Sequence, residues 1–135
     1  MRLNKHILVV DDDPRLRKLL STFLKDKNYF VDSAKDTKSA LFKINNIQYD
    51  LVILDVMMPG ESGLIFAKKL RKNSNIPILM LSAMAKVESR IAGFEIGVDE
   101  YLTKPFDPRE LLLRINVILK RINSNSFIKS NSIHL

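Results

Sequence analysis

Strand and helix patterns alternate five times along this chain, and three of the strands are short apolar runs closed by a polar break. Ile7-Leu8-Val9-Val10 runs into Asp11, Asp12 and Asp13. Leu51-Val52-Ile53-Leu54 runs into Asp55, and Tyr101-Leu102-Thr103 into Lys104-Pro105. Runs this short with little alternation read as strands buried on both faces of a parallel sheet. In such sheets the ligand crevice lies beyond the carboxyl ends of the strands. Acids from two strands and a lysine from a third therefore meet at one rim, although they are far apart in sequence. Carboxylates with one ammonium, and no cysteine, suit a hard cation and a phosphoryl group.

The periodicity places strands at about residues 6–10, 29–34, 50–54, 76–81 and 100–103. The first helix has Asp13 as its N-cap and Pro14 at its first position, with Leu16, Leu19, Leu20, Phe23 and Leu24 on one face. The second runs from about Thr37 and buries Ala40, Leu41 and Ile44; the third carries Leu64, Ala67 and Leu70. The fourth carries Val87, Ile91 and Phe94 and ends at Gly97. The fifth opens on Asp107-Pro108-Arg109-Glu110, which has the spacing of a capping box, and buries Leu111, Ile115, Ile118 and Ile122. Five βα units imply a doubly wound sheet with right-handed crossovers, its more polar second strand at an edge.

At 135 residues the chain is read as one domain over 1–122, followed by a polar linker or disordered tail over 123–135 rich in Asn and Ser. No cysteine is present, which removes disulfides and thiolate chemistry and fits a reducing cytoplasm, the expected location. No apolar stretch approaches the ~20 residues that span a bilayer. The net charge of +7 suggests nucleic acid, but the lysines are scattered and no aromatics interleave with them. Direct nucleic-acid contact by this segment is therefore not expected. Met57, Met58, Met80 and Met84 read as packing and loop residues, and His6 and His134 receive no role.

As a set, Val9-Val10-Asp11-Asp12, Leu54-Asp55-Val56-Met57-Met58-Pro59-Gly60, Leu81-Ser82-Ala83 and Tyr101-Leu102-Thr103-Lys104-Pro105-Phe106 carry a specific resemblance. Over about residues 4–122 the chain resembles the receiver domain of bacterial two-component response regulators. The resemblance implies a flavodoxin-like (CheY-like) α/β fold of five parallel strands in the order 2-1-3-4-5 with five helices. It implies Asp55 as phosphoacceptor, with a sensor histidine kinase as phosphodonor. Asp11, Asp12, Asp55 and the main-chain carbonyl of Met57 would hold one Mg²⁺, Lys104 would face the phosphoryl oxygens, and the Lys104–Pro105 bond would be cis. Ser82 and Tyr101 occupy the positions of the family's switch residues. A receiver catalyses its own phosphoryl transfer and dephosphorylation and is not a dedicated enzyme. The chemistry agrees, since a strand-tip carboxylate can form an acyl phosphate and such transfer depends mainly on position and charge.

The face made by the fourth helix, fifth strand and fifth helix is similar to that of OmpR/PhoB-type transcription regulators. Gly60-Glu61-Ser62-Gly63 and Pro108-Arg109-Glu110-Leu111 resemble the alphaproteobacterial OmpR-like branch. The resemblance implies a homodimer formed on phosphorylation. Its cross-dimer ion pairs would be Arg90 with Glu110, Asp99 with Arg114, and Glu100 with Arg121, around an apolar patch of Ile91, Phe94 and Leu113. Members of that subfamily continue into a DNA-binding winged helix of roughly a hundred residues, which nothing after Ile122 could form. The expectation is a receiver cut from a longer protein, or one that acts through another protein. Two rival readings are a haloacid-dehalogenase-type phosphatase with Asp11 as nucleophile, and a non-phosphorylated interaction module. The first leaves Asp55 and its loop unexplained; the intact acids and Lys104 argue against the second.

Overall fold

The computed structural model describes residues 5–83 and 87–133, with the backbone alone over 123–133. Strand β1 spans His6–Val10, helix α1 Pro14–Asp26, β2 Phe30–Ala34, α2 Thr37–Asn46 and β3 Leu51–Asp55. They are followed by α3 Gly63–Asn73, β4 Ile78–Ser82, α4 Val87–Ile96, β5 Glu100–Thr103 and α5 Pro108–Ile133. All strand pairings are parallel, in the order β2-β1-β3-β4-β5. The three inner strands are almost wholly inaccessible, as their unbroken apolar runs require. Each fully buried Leu, Ile or Val there contributes about 1.5–3 kcal/mol, which fixes the register that aligns the strand tips.

Two apolar layers cover the sheet. One packs Leu20 and Leu24 of α1 and Leu111, Ile115 and Ile118 of α5 on Ile7, Val9, Ile53 and Leu79. The other packs Ala40, Phe66, Ala67 and Leu70 on Leu8, Val52, Leu54 and Met80. Local chemistry sets the helix ends. Asp13 caps α1 by accepting the Arg15 N–H at 2.9 Å, Asp36 caps α2 through Ser39, and Ser62 caps α3 through Leu64. Asn28 at φ 72° and Gly97 at φ 107° turn the chain after α1 and α4.

Several expectations are corrected. Leu19 and Leu41 are half exposed, because α1 and α2 turn narrower stripes to the sheet than their apolar residues suggest. Ile122 is exposed rather than core. Strand β3 extends through Asp55, β2 starts at Phe30 and β4 runs Ile78–Ser82. The capping box at α5 does not close: Asp107 accepts the Arg109 N–H, while Glu110 turns to Arg114. Helix α5 continues through Ile133, past the expected break at residue 122. No Gly or Pro lies beyond Pro108 to stop it, and Asn and Ser lower helix propensity only modestly. Met84 and His134 lie outside the described residues. No described helix is long and apolar enough to cross a membrane.

Candidate functional site

Parallel registration brings four strand tips together. Val10 pairs with Leu54, Asp55 with Leu81, and Ser82 with Thr103, so the residues following β1, β3, β4 and β5 share one rim. The Val56 N–H donates to the Leu81 carbonyl at 2.8 Å and the Lys104 N–H to the Ser82 carbonyl at 2.7 Å. These bonds carry the sheet one residue beyond the strands and hold Asp55, Ser82 and Lys104 in place.

Asp11, Asp12 and Asp55 each present a carboxylate oxygen within 4.8 Å of the others. Asp11 and Asp55 are buried, whereas Asp12 is exposed. Asp11 is held on every side. Its N–H donates to the Ala34 carbonyl, Oδ1 accepts the Asp13 N–H at 2.9 Å and Oδ2 accepts Lys104 Nζ at 2.9 Å. Lys104 Nζ lies farther from Asp55 Oδ1, at 3.4 Å. The Lys104–Pro105 peptide bond is cis. Three oxygen donors clustered on a rigid rim match the ligand set of a hard divalent cation such as Mg²⁺. They also repel one another, which a cation relieves.

Burial raises the Asp55 pKa above the ordinary carboxylate range, and the Asp11 charge raises it further. The Lys104 ammonium and the Met57 N–H pull it partly back. Burial alone would depress Lys104, but its hydrogen bond to Asp11 and the charges of Asp11 and Asp55 outweigh that and raise it. Each group thus tunes the other. Met57 is exposed on the loop after β3, its N–H 3.4 Å from Asp55 Oδ1.

Ser82 is fully buried at the tip of β4. Tyr101 is also buried, with its ring 3.5 Å from where a Cβ on Gly93 would stand. Its hydroxyl has no hydrogen-bond partner among the described residues. The ring of Tyr101, one of the two residues at the family's switch positions, lies inside the fold. It shares a buried apolar cluster with Val98, beside Gly93.

On the face formed by α4, β5 and α5, Ile91, Phe94 and Leu113 are half exposed or more, and Arg90 and Arg121 are exposed. The other charges find partners within one chain. Arg114 pairs with Glu100 at 2.6 Å and Glu110 at 3.3 Å. Asp99 accepts the Arg71 guanidinium at 3.1 Å and the Ile78 N–H at 2.8 Å. Arg71 also donates to the Gly97 carbonyl, tying the end of α3 to the turn after α4.

Sequence reasoning missed Arg71, and it missed Arg17, whose Nη1 donates to the Asp11 main-chain carbonyl at 2.7 Å. It also missed why position 63 is glycine: a Cβ there would stand 2.0 Å from the Asp55 carbonyl oxygen. A polar contact six residues apart leaves no periodic signal. The Ser62-Gly63 step opening a helix was the only sign of the close approach.

A family model described as "Response regulator receiver domain" matches residues 7–116. The chain is 41% identical over 126 residues to the transcriptional regulatory protein ResD of Bacillus subtilis, covering 93% of this chain and 52% of ResD. It is 47% identical over 117 residues to the protein PetR of Rhodobacter capsulatus, covering 87% of this chain and 49% of PetR. The chain therefore spans about half the length of these curated relatives. The structure of a Francisella response regulator receiver domain superposes with a TM-score of 0.84 at 41% identity, over 88% of this chain and 99% of that one. The response regulator TrrA of Thermotoga maritima, solved in complex with Mg²⁺ and beryllofluoride, superposes with a TM-score of 0.78 at 40% identity, over 85% and 99%.

Proposed function

The chain belongs to the response regulator receiver domain family, and on that premise we propose that Asp55 accepts a phosphoryl group from a sensor histidine kinase and reports it through the α4–β5–α5 face. The observation that carries this reading is the placement of Asp55. It is a buried carboxylate at a strand tip, with two further acids within 4.8 Å and an ammonium 3.4 Å away.

Asp55 supplies the attacking oxygen, and its phosphorus–oxygen bond forms as the bond to the donor nitrogen breaks. Lys104 stands beside both buried acids and offers its charge to the equatorial oxygens, where negative charge accumulates. Asp11, Asp12, Asp55 and the Met57 carbonyl would hold Mg²⁺, which when bound supplies a second positive charge to those oxygens. Ser82, at the adjacent strand tip, would donate to a phosphoryl oxygen. The new group adds about two negative charges at the rim.

The output we propose is a homodimer of the OmpR/PhoB type, formed through Ile91, Phe94 and Leu113. Since Arg114 already holds Glu100 and Glu110, pairing across the dimer exchanges partners rather than adding them. The apolar patch then carries most of the affinity. The similarity to ResD, named a transcriptional regulatory protein, supports gene regulation as the end point in the whole protein, through a DNA-binding domain.

The test is intact-mass measurement after incubation with acetyl phosphate. One phosphoryl group should appear only with a divalent cation, and none in Asp55→Asn. A fully labelled Asp55→Asn chain overturns the assignment, and label on Asp11 instead supports phosphatase chemistry.

A further inference from the structure

We infer that Arg17 is a positioning residue for the acid pair: its guanidinium fixes the Asp11–Asp12 step from helix α1, so that the carboxylates meet a divalent cation already in place. The inference rests on the metal reading above and adds to it a residue that touches neither cation nor phosphoryl group.

Asp11 is inaccessible, so its main-chain carbonyl requires a partner within the protein. The other bonds to Asp11 come from two directions: β2 receives its N–H, while Asp13 and Lys104 occupy its carboxylate. None of these restrains the carbonyl, whose peptide plane leads directly into Asp12. Arg17 Nη1 supplies that restraint at 2.7 Å, a short distance typical of a charge-assisted bond. The base of Arg17 is itself fixed, because its N–H donates to the Asp13 carbonyl in the first turn of α1. Asp13 caps that turn through Arg15. Helix start, cap and acid pair thus form one closed loop of bonds, with Arg17 as its return path.

Asp12 gains most from this loop. It is exposed and lies between Asp11 and Asp13, so its orientation follows from the peptide planes on either side. Outer-shell groups that orient metal ligands commonly govern affinity as strongly as some ligands do. A purely electrostatic role for Arg17 has the opposite sign, since removing a nearby positive charge would strengthen cation binding. The two roles therefore separate in one experiment.

The probe is Mn²⁺, with free ion counted by electron paramagnetic resonance in the wild type, Arg17→Met, Arg17→Lys and Asp12→Ala. Amide hydrogen exchange at Asp12 and Asp13 is followed in the same proteins. Arg17→Met should bind Mn²⁺ about tenfold more weakly, with faster exchange at both amides. Arg17→Lys keeps a donor and the charge and should recover most of the affinity. Arg17→Met binding within twofold of wild type, or more tightly, overturns the inference, as does Arg17→Lys falling equally far. If Asp12→Ala loses binding while Arg17→Met retains it, only the role of Arg17 fails. A wild-type chain that binds no Mn²⁺ overturns the metal reading and this inference with it.

Discussion

Gly63 lies directly against Asp55: a methyl group on Gly63 would stand 2.0 Å from the Asp55 carbonyl oxygen and 3.0 Å from the Val56 Cα. The same glycine donates its N–H to the Val56 carbonyl at 2.8 Å, closing the loop that returns from β3 to α3. Backbone lies opposite the missing side chain, so no rotamer change could make room. Gly63→Ala should therefore shift the β3–α3 loop, lower the melting temperature and slow labelling of Asp55 by acetyl phosphate. The expected destabilisation is about 1–3 kcal/mol, the range for overpacking. Gly60→Ala is the control, since its Cβ would meet nothing within 4 Å and only its φ of +82° is unfavourable. Its penalty should be confined to stability, with labelling of Asp55 near normal.

Asp12 and Asp13 are adjacent but should behave differently. Asp13 caps α1, and Asp13→Ala should cost about 1 kcal/mol of stability with metal affinity largely kept. Asp12 groups with Asp11 and Asp55, and Asp12→Ala should abolish most Mg²⁺ affinity with little loss of fold. Calorimetric titration beside thermal melts separates the two. Equal metal losses would mean that the acids are misassigned.

Burial, followed by the charge of Asp11, raises the Asp55 pKa in the folded state. A raised carboxyl favours the fold fully below its unfolded value, about 4, and that contribution is lost as pH rises through the folded value. At neutral pH the ionised Asp55 is thus a cost to the fold. Asp55→Asn should melt higher than wild type at pH 7 without divalent cation, and the gap should close towards pH 4. Added Mg²⁺ should narrow the gap at pH 7 by stabilising the wild type more. A variant that melts lower than wild type at pH 7 would contradict the direction given for Asp55.

Leu113 is 65% exposed and Phe94 50% exposed on the proposed dimer face. Beryllofluoride with Mg²⁺ should shift the chain towards dimer in sedimentation. Leu113→Asp should prevent that shift without changing the melting temperature, since the residue is outside the core. Because Arg114, Glu100 and Glu110 are already paired within the chain, the dimer constant should depend only weakly on salt. A monomer both with and without the mimic would leave the face without its proposed role.

The elements themselves were legible from local chemistry. Asp13 before Pro14 marks a helix start, Gly97 marks a helix end, and unbroken runs such as Leu51–Leu54 mark central strands. Once the sheet was known to be parallel, it followed that Asp11, Asp12, Asp55 and Lys104 share a rim, because strand tips in a parallel sheet lie on one side. Those are statements about neighbours in sequence and about one symmetry of the fold, and the amino-acid sequence by itself determines them.

Tertiary structure alone decided which charges pair and which apolar residues face inward. Arg114 could have waited for a partner chain, but it lies within 2.6 Å of Glu100 in its own. Lys104 lies closer to Asp11 than to Asp55, and Arg71 of α3 reaches Asp99 in the turn before β5. Leu41 carries the pattern of a core residue yet stays half exposed, because the pitch of α2 against the sheet sets how wide a stripe is covered. Periodicity specifies a face but not what lies opposite it. Ion pairs and close contacts depend on separations of an ångström or less, which are settled only when the two layers close on the sheet.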